Sequence, residues 1–231
     1  RRDYYRLRSL VTSFGYEWKV QRRKGDNIWL YKPLSLELYG IDKLDSLKNL
    51  IANNPFLRSS FNEGNVLSQS LSLVRTVNNP NNKNKSHYIR LGVEEAGGLF
   101  GLIPGLTNNI YRYLKTEAEY KQSTKFTRHP KTELAYRAYL GVGYNYGTDS
   151  VTGKTLPFFK QFIAGGPYSM RAWGIRQLGL GSSLLSDTIK TSKYRDRFGD
   201  MQLEANVEYR FPLTTIAGFK IGSALYADIG N

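Results

Sequence analysis

The sequence predicts an all-β fold, an antiparallel transmembrane β-barrel, from two observations on its patterning. The first is a period of two: apolar and polar side chains alternate along several segments, as in strands with one apolar and one wet face. The second is that short and long connections alternate between these segments. Outer-membrane barrels carry short turns at one end and long loops at the other, whereas a soluble β-sandwich has no reason to sort its connections this way.

The alternation of side chains predicts about eight strands. The clearest example begins at Met201, where the odd positions are apolar as far as Leu213 and the even positions from Gln202 to Arg210 are polar. Several segments are longer than the five or six residues usual in globular proteins, and they match the ~9–11 residues of a tilted membrane strand extended into water. The predicted strands are 4–22, 28–40, 66–77, 85–97, 108–125, 132–147, 200–213 and 217–231.

The connections between these strands predict the orientation of the barrel. Long connections are extracellular in outer-membrane barrels and short turns are periplasmic. The first long connection also contains a short amphipathic helix, predicted over 42–52 with Asp42 as its N-cap. The short connections are 23–27, 78–84, 126–131 and 214–216, and the long ones are 41–65, 98–107 and 148–199.

Tyrosines occur near the ends of the predicted strands. We expect them to form an aromatic girdle where the barrel meets the membrane surface, although tyrosine is also simply a good strand former. The residues of the predicted girdle are Tyr4, Tyr5, Tyr39, Tyr111, Tyr113, Tyr144 and Tyr146.

Composition excludes several other classes of protein. The chain has no cysteine, which excludes disulfides and thiolate metal sites. Its net charge of +14 is scattered along the sequence, and the aromatic residues share a face with aliphatic residues rather than with the cations. Single-stranded nucleic acid would need both on one face, so we expect no nucleic-acid partner. The mean hydropathy of −0.46 does not argue for a soluble protein, because only every second barrel residue faces lipid.

Enzyme chemistry has little support in the sequence. The two histidines, His87 and His129, lie in or beside polar turns. No nucleophile motif, phosphate-binding glycine loop or metal-ligand spacing is present. We therefore expect no catalytic residues, no metal and no cofactor.

The long connection 148–199 contains the most specific motif. Structureless loops above about 15 residues are usually functional or disordered. This one carries Gly165-Gly166 and then Met170-Arg171-Ala172-Trp173-Gly174. It resembles the sixth extracellular loop of the BamA/TamA/two-partner-secretion superfamily, in which a Gly-Gly and a Val/Leu-Arg-Gly-Phe/Tyr element fold back into the barrel lumen. Ala and Trp replace the Gly and Phe/Tyr of the family here, and alanine fits wherever φ is negative.

Three further segments carry the resemblance. Residues 207–213 (Val-Glu-Tyr-Arg-Phe-Pro-Leu) resemble the family strand that follows the loop, and residues 226–231 (Tyr-Ala-Asp-Ile-Gly-Asn) resemble the next. Residues 54–58 (Asn-Pro-Phe-Leu-Arg) resemble TamA-like lipoproteins of Bacteroidetes.

The last two strands supply candidate partners for the loop. If their odd residues face lipid, Glu208 and Asp228 point inward, and an arginine fork suits two carboxylates on adjacent strands. The resemblance implies the same contact for Arg171. The alternative is that the two carboxylates line a wet lumen with cations such as Arg210 and Lys220. The predicted site comprises Gly165, Gly166, Arg171, Trp173, Gly174, Glu208 and Asp228.

Small residues on the predicted inward faces leave room for such a loop beside the barrel wall. They are Gly141, Gly143, Gly222 and Ala224.

The resemblance implies a function in the outer membrane of a Gram-negative bacterium. Family members insert β-barrel proteins or translocate polypeptides without a cofactor. Their partners are unfolded outer-membrane client proteins, accessory assembly subunits and the lipid bilayer. The alternative is a passive, porin-like transport channel, which would not need the arginine loop.

The family barrel has sixteen strands, so the eight predicted here would correspond to its middle. We expect residues 1–231 to form a partial barrel domain without periplasmic repeats.

Overall fold

A computed structural model gives the structure of the protein. It describes residues 5–23, 25–53, 64–78, 84–100, 110–129, 131–147, 155–157, 159–178 and 198–231. The 54–58 segment and Tyr4, both singled out above, lie outside these ranges.

Eight strands form one antiparallel sheet in which each strand pairs with its neighbours in the chain. The predicted all-β antiparallel fold is therefore confirmed. In the part of the chain that the structure describes, β1 and β8 are the two edges of the sheet, so the barrel is not closed. The strands are β1 (Tyr5–Arg22), β2 (Gly25–Lys43), β3 (Gly64–Asn78), β4 (Lys85–Ala96), β5 (Tyr113–Lys125), β6 (Glu133–Asn145), β7 (Met201–Ile216) and β8 (Phe219–Gly230).

Successive antiparallel strands place the four short connections at one end of the sheet, which we call the short-turn end. The last of them is a two-residue turn, Ala217-Gly218, and not the predicted 214–216. Both residues have positive φ, 48° and 83°, as the tight hairpin turn that matches strand twist requires. Strand β7 continues to Ile216 with a register shift between Pro212 and Thr214, which moves the turn along the chain.

The helix in the first long connection is α1 (Asp45–Asn53), and Leu47 on it is fully buried. The prediction that Asp42 caps this helix is wrong, because β2 extends to Lys43 and includes Asp42. The carboxylate of Asp42 instead forms an ion pair with Arg8 on β1, at 3.0 Å. Within the described ranges, no helix is both long and apolar enough to cross a membrane.

The two faces of the sheet differ in chemistry. We call the face that contacts residues 155–178 the inner face and the opposite one the outer face. One row of directly paired positions crosses the outer face from β1 to β7 and is entirely apolar, as a lipid-facing surface requires. Its members are Trp18, Trp29, Leu73, Leu91, Ala118, Leu140 and Leu203.

A charge placed in this row tests whether the outer face contacts hydrocarbon. Leu140 is 44% exposed on β6. We expect Leu140→Arg to reduce the free energy of unfolding from lipid vesicles by about 1–4 kcal/mol, since the cost of arginine on a lipid face rises from the interface to the midplane. Leu140→Met is the control and should change it little. Equal stability of the two variants in vesicles would contradict a lipid-facing position.

The inner face is filled at its long-loop end by an aromatic and aliphatic core. The prediction of an interfacial girdle is therefore wrong for Tyr39, Tyr111 and Tyr113. Tyr111 and Tyr113 are buried, and Tyr39 stacks on Phe159 of the loop with 3.6 Å between ring centroids. Alternation alone does not say which phase of a strand faces outward, and these side chains take the inner phase. The core consists of Val66, Ala96, Tyr111, Tyr113, Tyr139, Leu156 and Phe162.

Two of the small inward positions accommodate the loop, as their size suggested. A Cβ added at Gly141 would overlap the ring of Phe162, and one added at Gly143 would overlap the side chain of Leu156. These two glycines therefore let the loop lie directly against β6.

Candidate functional site

The central part of the long connection, residues 164–176, closes on itself; we call it the loop tip. The Gly166 amide donates to the Trp173 carbonyl at 2.8 Å, and the Arg176 amide donates to the Ala164 carbonyl at 2.9 Å. The two glycines have φ values of 102° (Gly165) and 90° (Gly166), which side chains rarely adopt. These bonds present residues 167–172 at the turn between two short arms.

Gly165 is the tightest point of the loop tip, because a Cβ there would overlap the Gly174 carbonyl oxygen. We expect Gly165→Ala to open the loop tip at a cost of about 1–3 kcal/mol, the range for a residue held in a disfavoured conformation. Limited proteolysis of the folded protein in membranes should then cleave within this segment faster than in the wild type.

Gly174→Ala is the matched control for that variant. Its Cβ would meet the end of the Gln177 side chain, 2.7 Å away, which can move. Unlike Gly165, Gly174 does not have a positive φ, so its backbone conformation is open to alanine. Equal protection of the two variants would show that the Gly165 contact does not hold the loop tip closed.

Arg171 lies at the turn of the loop tip and contacts both carboxylates proposed as its partners. Its Nη2 and Nε donate to the two oxygens of Asp228 at 2.7 and 2.9 Å, and its Nη1 donates to Glu208 at 2.6 Å. Its backbone amide also donates to Asp228, at 3.1 Å. We call these three residues the Arg171 cluster. A planar guanidinium can engage two carboxylates in this way, whereas the ammonium of lysine acts as a single point charge.

Two neighbouring side chains orient the carboxylates. Glu208 accepts a hydrogen bond from Arg210 Nε at 2.6 Å, and Asp228 accepts one from Asn206 Nδ2 at 3.0 Å. Arg210 is thus a partner of Glu208, as the alternative interpretation supposed, but it shares that carboxylate with Arg171. Hydrogen bonds to Asp228, followed by those to Glu208, raise the pKa of Arg171 above its usual value despite its partial burial.

Tyr226 adds an aromatic contact that the sequence analysis did not assign. Its ring centroid lies 3.9 Å from the guanidinium carbon of Arg171, which is within cation–π range. Tyr226 is two residues before Asp228 on β8, so the period of two places both on the inner face. That spacing could have identified it.

The remaining residues of the predicted site have backbone roles or none in this cluster. The indole of Trp173 is 45% exposed, and its backbone closes the loop tip. Ala172 is not among the described residues with positive φ, so alanine is accommodated where the family has glycine.

A second charged network ties the loop tip to the middle of the sheet. Arg137 on β6 donates to Glu119 at 2.6 Å and to Glu204 at 2.7 Å. Glu204 is 1% exposed and also accepts a hydrogen bond from the hydroxyl of Ser169 on the loop tip. The sequence could have identified Glu204, because it occupies an even position of β7, as Glu208 does.

A third contact fixes the start of the loop to β2 and β4, which lie far from β7 and β8 in the strand order. Lys160 Nζ donates to Glu37 on β2 at 2.7 Å and to Glu94 on β4 at 2.8 Å. We call these three residues the Lys160 cluster. Burial acts to lower the pKa of Lys160, but the charge of Glu94 and the hydrogen bonds to both carboxylates raise it overall. Lys160 is therefore a cation at any physiological pH.

No local pattern could have identified the Lys160 cluster. Lys160 and Glu37 are 123 positions apart, and the lysine lies outside the loop motif. The two clusters hold the loop at separate places, the Lys160 cluster on β2 and β4 and the Arg171 cluster on β7 and β8.

A cavity of about 630 Å³ lies between the loop tip and the short-turn end. Tyr168, 90% exposed, is one of its walls, and charged side chains such as Lys121, Arg137 and Arg210 form others. Among the described residues, no group of three or more His, Cys, Asp or Glu side chains is arranged to hold a metal ion.

A family model for the Omp85 superfamily domain matches residues 10–231. No curated protein matches the chain. The family match confirms the resemblance to the BamA/TamA superfamily, while the narrower resemblance to Bacteroidetes lipoproteins stays a prediction. Omp85 proteins reside in the outer membrane of Gram-negative bacteria and act in protein assembly or transport without enzyme chemistry. With nearly its whole length matched, the chain belongs to the Omp85 superfamily.

Proposed function

We propose that this chain is part of an outer-membrane barrel that inserts client β-barrel proteins or translocates polypeptides, and that the Arg171 cluster keeps the barrel competent for this work. The observation that carries the proposal is the fork of Arg171 on Glu208 and Asp228, which connects the loop tip to two adjacent strands. Superfamily membership supports the outer-membrane role.

The physical basis of such a function is the cost of unpaired strands in hydrocarbon. Every backbone group in a bilayer must find an internal partner, and an open sheet edge exposes a row of groups without one. A barrel that disturbs the local bilayer and offers an edge for pairing lowers this cost for a client. No nucleotide or cofactor is needed for such a step.

A passive channel is the less favoured function. A porin-like pore requires an open lumen, whereas the described loop residues pack into the inner face at Gly141 and Gly143. The loop also carries two charged clusters, which solute diffusion alone would not require.

The partners in this proposal are unfolded outer-membrane client proteins, accessory assembly subunits and the bilayer. The predicted site, Gly165, Gly166, Arg171, Trp173, Gly174, Glu208 and Asp228, would act by holding the loop and not by contacting a reacting bond. Residues 1–231 would constitute a partial barrel domain.

Reconstitution of the full-length protein tests the proposal. An unfolded outer-membrane barrel is added to proteoliposomes, and its folding is followed by the change in gel mobility of unheated samples. Folding faster than with empty liposomes supports insertion, and protection of a secreted polypeptide inside the vesicles supports translocation. Ion conductance without either activity would favour the passive channel and contradict the proposal.

A further inference from the structure

A pocket of about 310 Å³ lies on the outer face at the short-turn end of β1, β2 and β3. This volume is at the lower end of the range for small-molecule sites, which is about 300–1,000 Å³. Its position on the lipid side of the sheet separates it from the loop and from both charged clusters. The lining residues are Arg22, Arg23, Gly25, Asn27, Arg75 and Val77.

Strand register places two of the arginines on the same face beside the pocket. Arg22 pairs with Gly25, and Asn27, two residues further along β2, pairs with Arg75. Arg22 and Arg75 therefore face the same side across the bare position of Gly25. A Cβ at Gly25 would overlap the backbone of β3 at Thr76, so this position has no room for a side chain.

Three of the six residues around the pocket are arginines and none is acidic, while the wall itself is mostly apolar. All three arginines are exposed, and the described part of the chain places no carboxylate against any of them. The nearest acid in sequence, Asp26, alternates to the opposite face and forms an ion pair with Lys19 at 2.7 Å. Three guanidinium groups without counter-ions attract an anion, and phosphate matches their fork geometry.

The surroundings of the pocket indicate where that phosphate comes from. Trp18 and Trp29 pair directly on the same face, with rings nearly parallel (8°) and centroids 6.2 Å apart. Tryptophan is enriched at the membrane–water interface, where its ring reaches the headgroup level. Arg22 is four residues beyond Trp18 toward the short-turn end, about 13 Å along a strand. This puts the arginines at headgroup depth, beside the leaflet that the short turns enter.

We propose that Arg22, Arg23 and Arg75 bind the phosphate of an anionic glycerophospholipid in the leaflet at the short-turn end. Trp18 and Trp29 pack against the upper part of its acyl chains and its glycerol. The site anchors the β1–β3 edge of the sheet to an anionic lipid, independently of any client protein.

Tryptophan quenching by brominated lipids tests the proposal on the full-length protein in vesicles. The probes are phosphatidylglycerol and phosphatidylcholine with identical brominated chains, each titrated into unbrominated phosphatidylcholine. One arginine near an anionic surface contributes about 1 kcal/mol, or roughly fivefold in affinity, so we expect at least a tenfold preference for phosphatidylglycerol. The variant R22Q/R23Q/R75Q should lose most of this preference.

A matched variant, K125Q/R128Q/K131Q, controls for net charge. It also removes three cations at the short-turn end, but around the β5–β6 turn, away from the pocket. The proposal requires that this variant keep the preference of the wild type. Equal losses in both triple variants would reduce the effect to diffuse surface charge and overturn the proposal, as would a wild type without any preference.

Two further arms distinguish the source of the phosphate. Inorganic phosphate at millimolar concentration should not displace the brominated lipid, and displacement would identify a small-anion site instead. Lipopolysaccharide should compete less well than phosphatidylglycerol, and the reverse order would overturn the assignment of the leaflet. The gel mobility of unheated samples verifies that each variant is folded.

Discussion

Replacing Arg171 by alanine is expected to release the loop tip from β7 and β8. The change leaves Asp228 without its fork partner and Glu208 with Arg210 alone. Breaking a buried ion pair costs about 3–5 kcal/mol, and we expect about 3 kcal/mol because the three side chains retain some solvent contact. The equilibrium constant for docking of the loop tip should then fall by about two orders of magnitude.

The absence of native cysteine allows this release to be measured directly. Met170 is 7% exposed beside Arg171, so a single Met170→Cys should react slowly with a water-soluble maleimide while the loop is docked. Adding Arg171→Ala should accelerate the reaction strongly, and client folding in proteoliposomes should slow in parallel. Arg171→Lys should be intermediate, because lysine keeps the charge but not the fork.

Arg176→Ala is the control on the same loop. Arg176 lies on the same loop tip and stacks on Phe198, with its guanidinium carbon 5.0 Å from the ring centroid. Its removal should leave Met170→Cys protected and client folding near the wild-type rate. Equal, small effects of the two alanine variants would refute the role assigned to Arg171.

Replacing Lys160 by methionine is expected to have the second large effect. Glu37 and Glu94 are mostly buried and would lose the cation that they share, again at a cost of about 3 kcal/mol. The start of the loop should detach from β2 and β4 while Arg171 still holds its tip. A cysteine at Leu156, 1% exposed in the core, should therefore become reactive while Met170→Cys stays protected.

Two variants test whether charge is the cause. Lys121→Met removes a lysine from Glu119, a carboxylate that keeps Arg137 at 2.6 Å, so its effect should be small. Adding Glu37→Gln and Glu94→Gln to Lys160→Met should restore part of the stability, since no uncompensated charge remains. If unfolding in vesicles shows no loss for Lys160→Met, the Lys160 cluster does not hold the loop.

The sequence predicted the strands well because apolar and polar side chains alternate over much of their length. It also predicted the contact of Arg171 with Glu208 and Asp228. The loop motif indicated the arginine, and the even positions of both carboxylates placed them on the inner face. The prediction from sequence failed where the same side chain is compatible with two different structural positions. Asp42 has the side chain of an N-cap but extends the ladder of β2, and Tyr113 has the composition of a girdle but lies in the core.

The Lys160 cluster illustrates a different limit. Nothing near Lys160 in the chain distinguishes it from the other lysines, and its partners become visible only when β2, β4 and the loop are assembled. Tyr226 was within reach, because it shares the inner phase of β8 with Asp228. Alternation of side chains is visible within a short segment of sequence, whereas the pairing of charges from distant segments is not.

The loop leaves the sheet after β6 and returns before β7, yet its arginine is satisfied only by β7 and β8. During synthesis or refolding, Arg171 therefore has no complete partner set until the strand carrying Asp228 has joined the sheet. Contacts between distant parts of a chain form late, because loop closure costs entropy before the contact can repay it. Docking of the loop tip by Arg171 thus requires that β8 has joined the sheet, and a protein stalled before β8 would lack the Asp228 contacts that hold the tip.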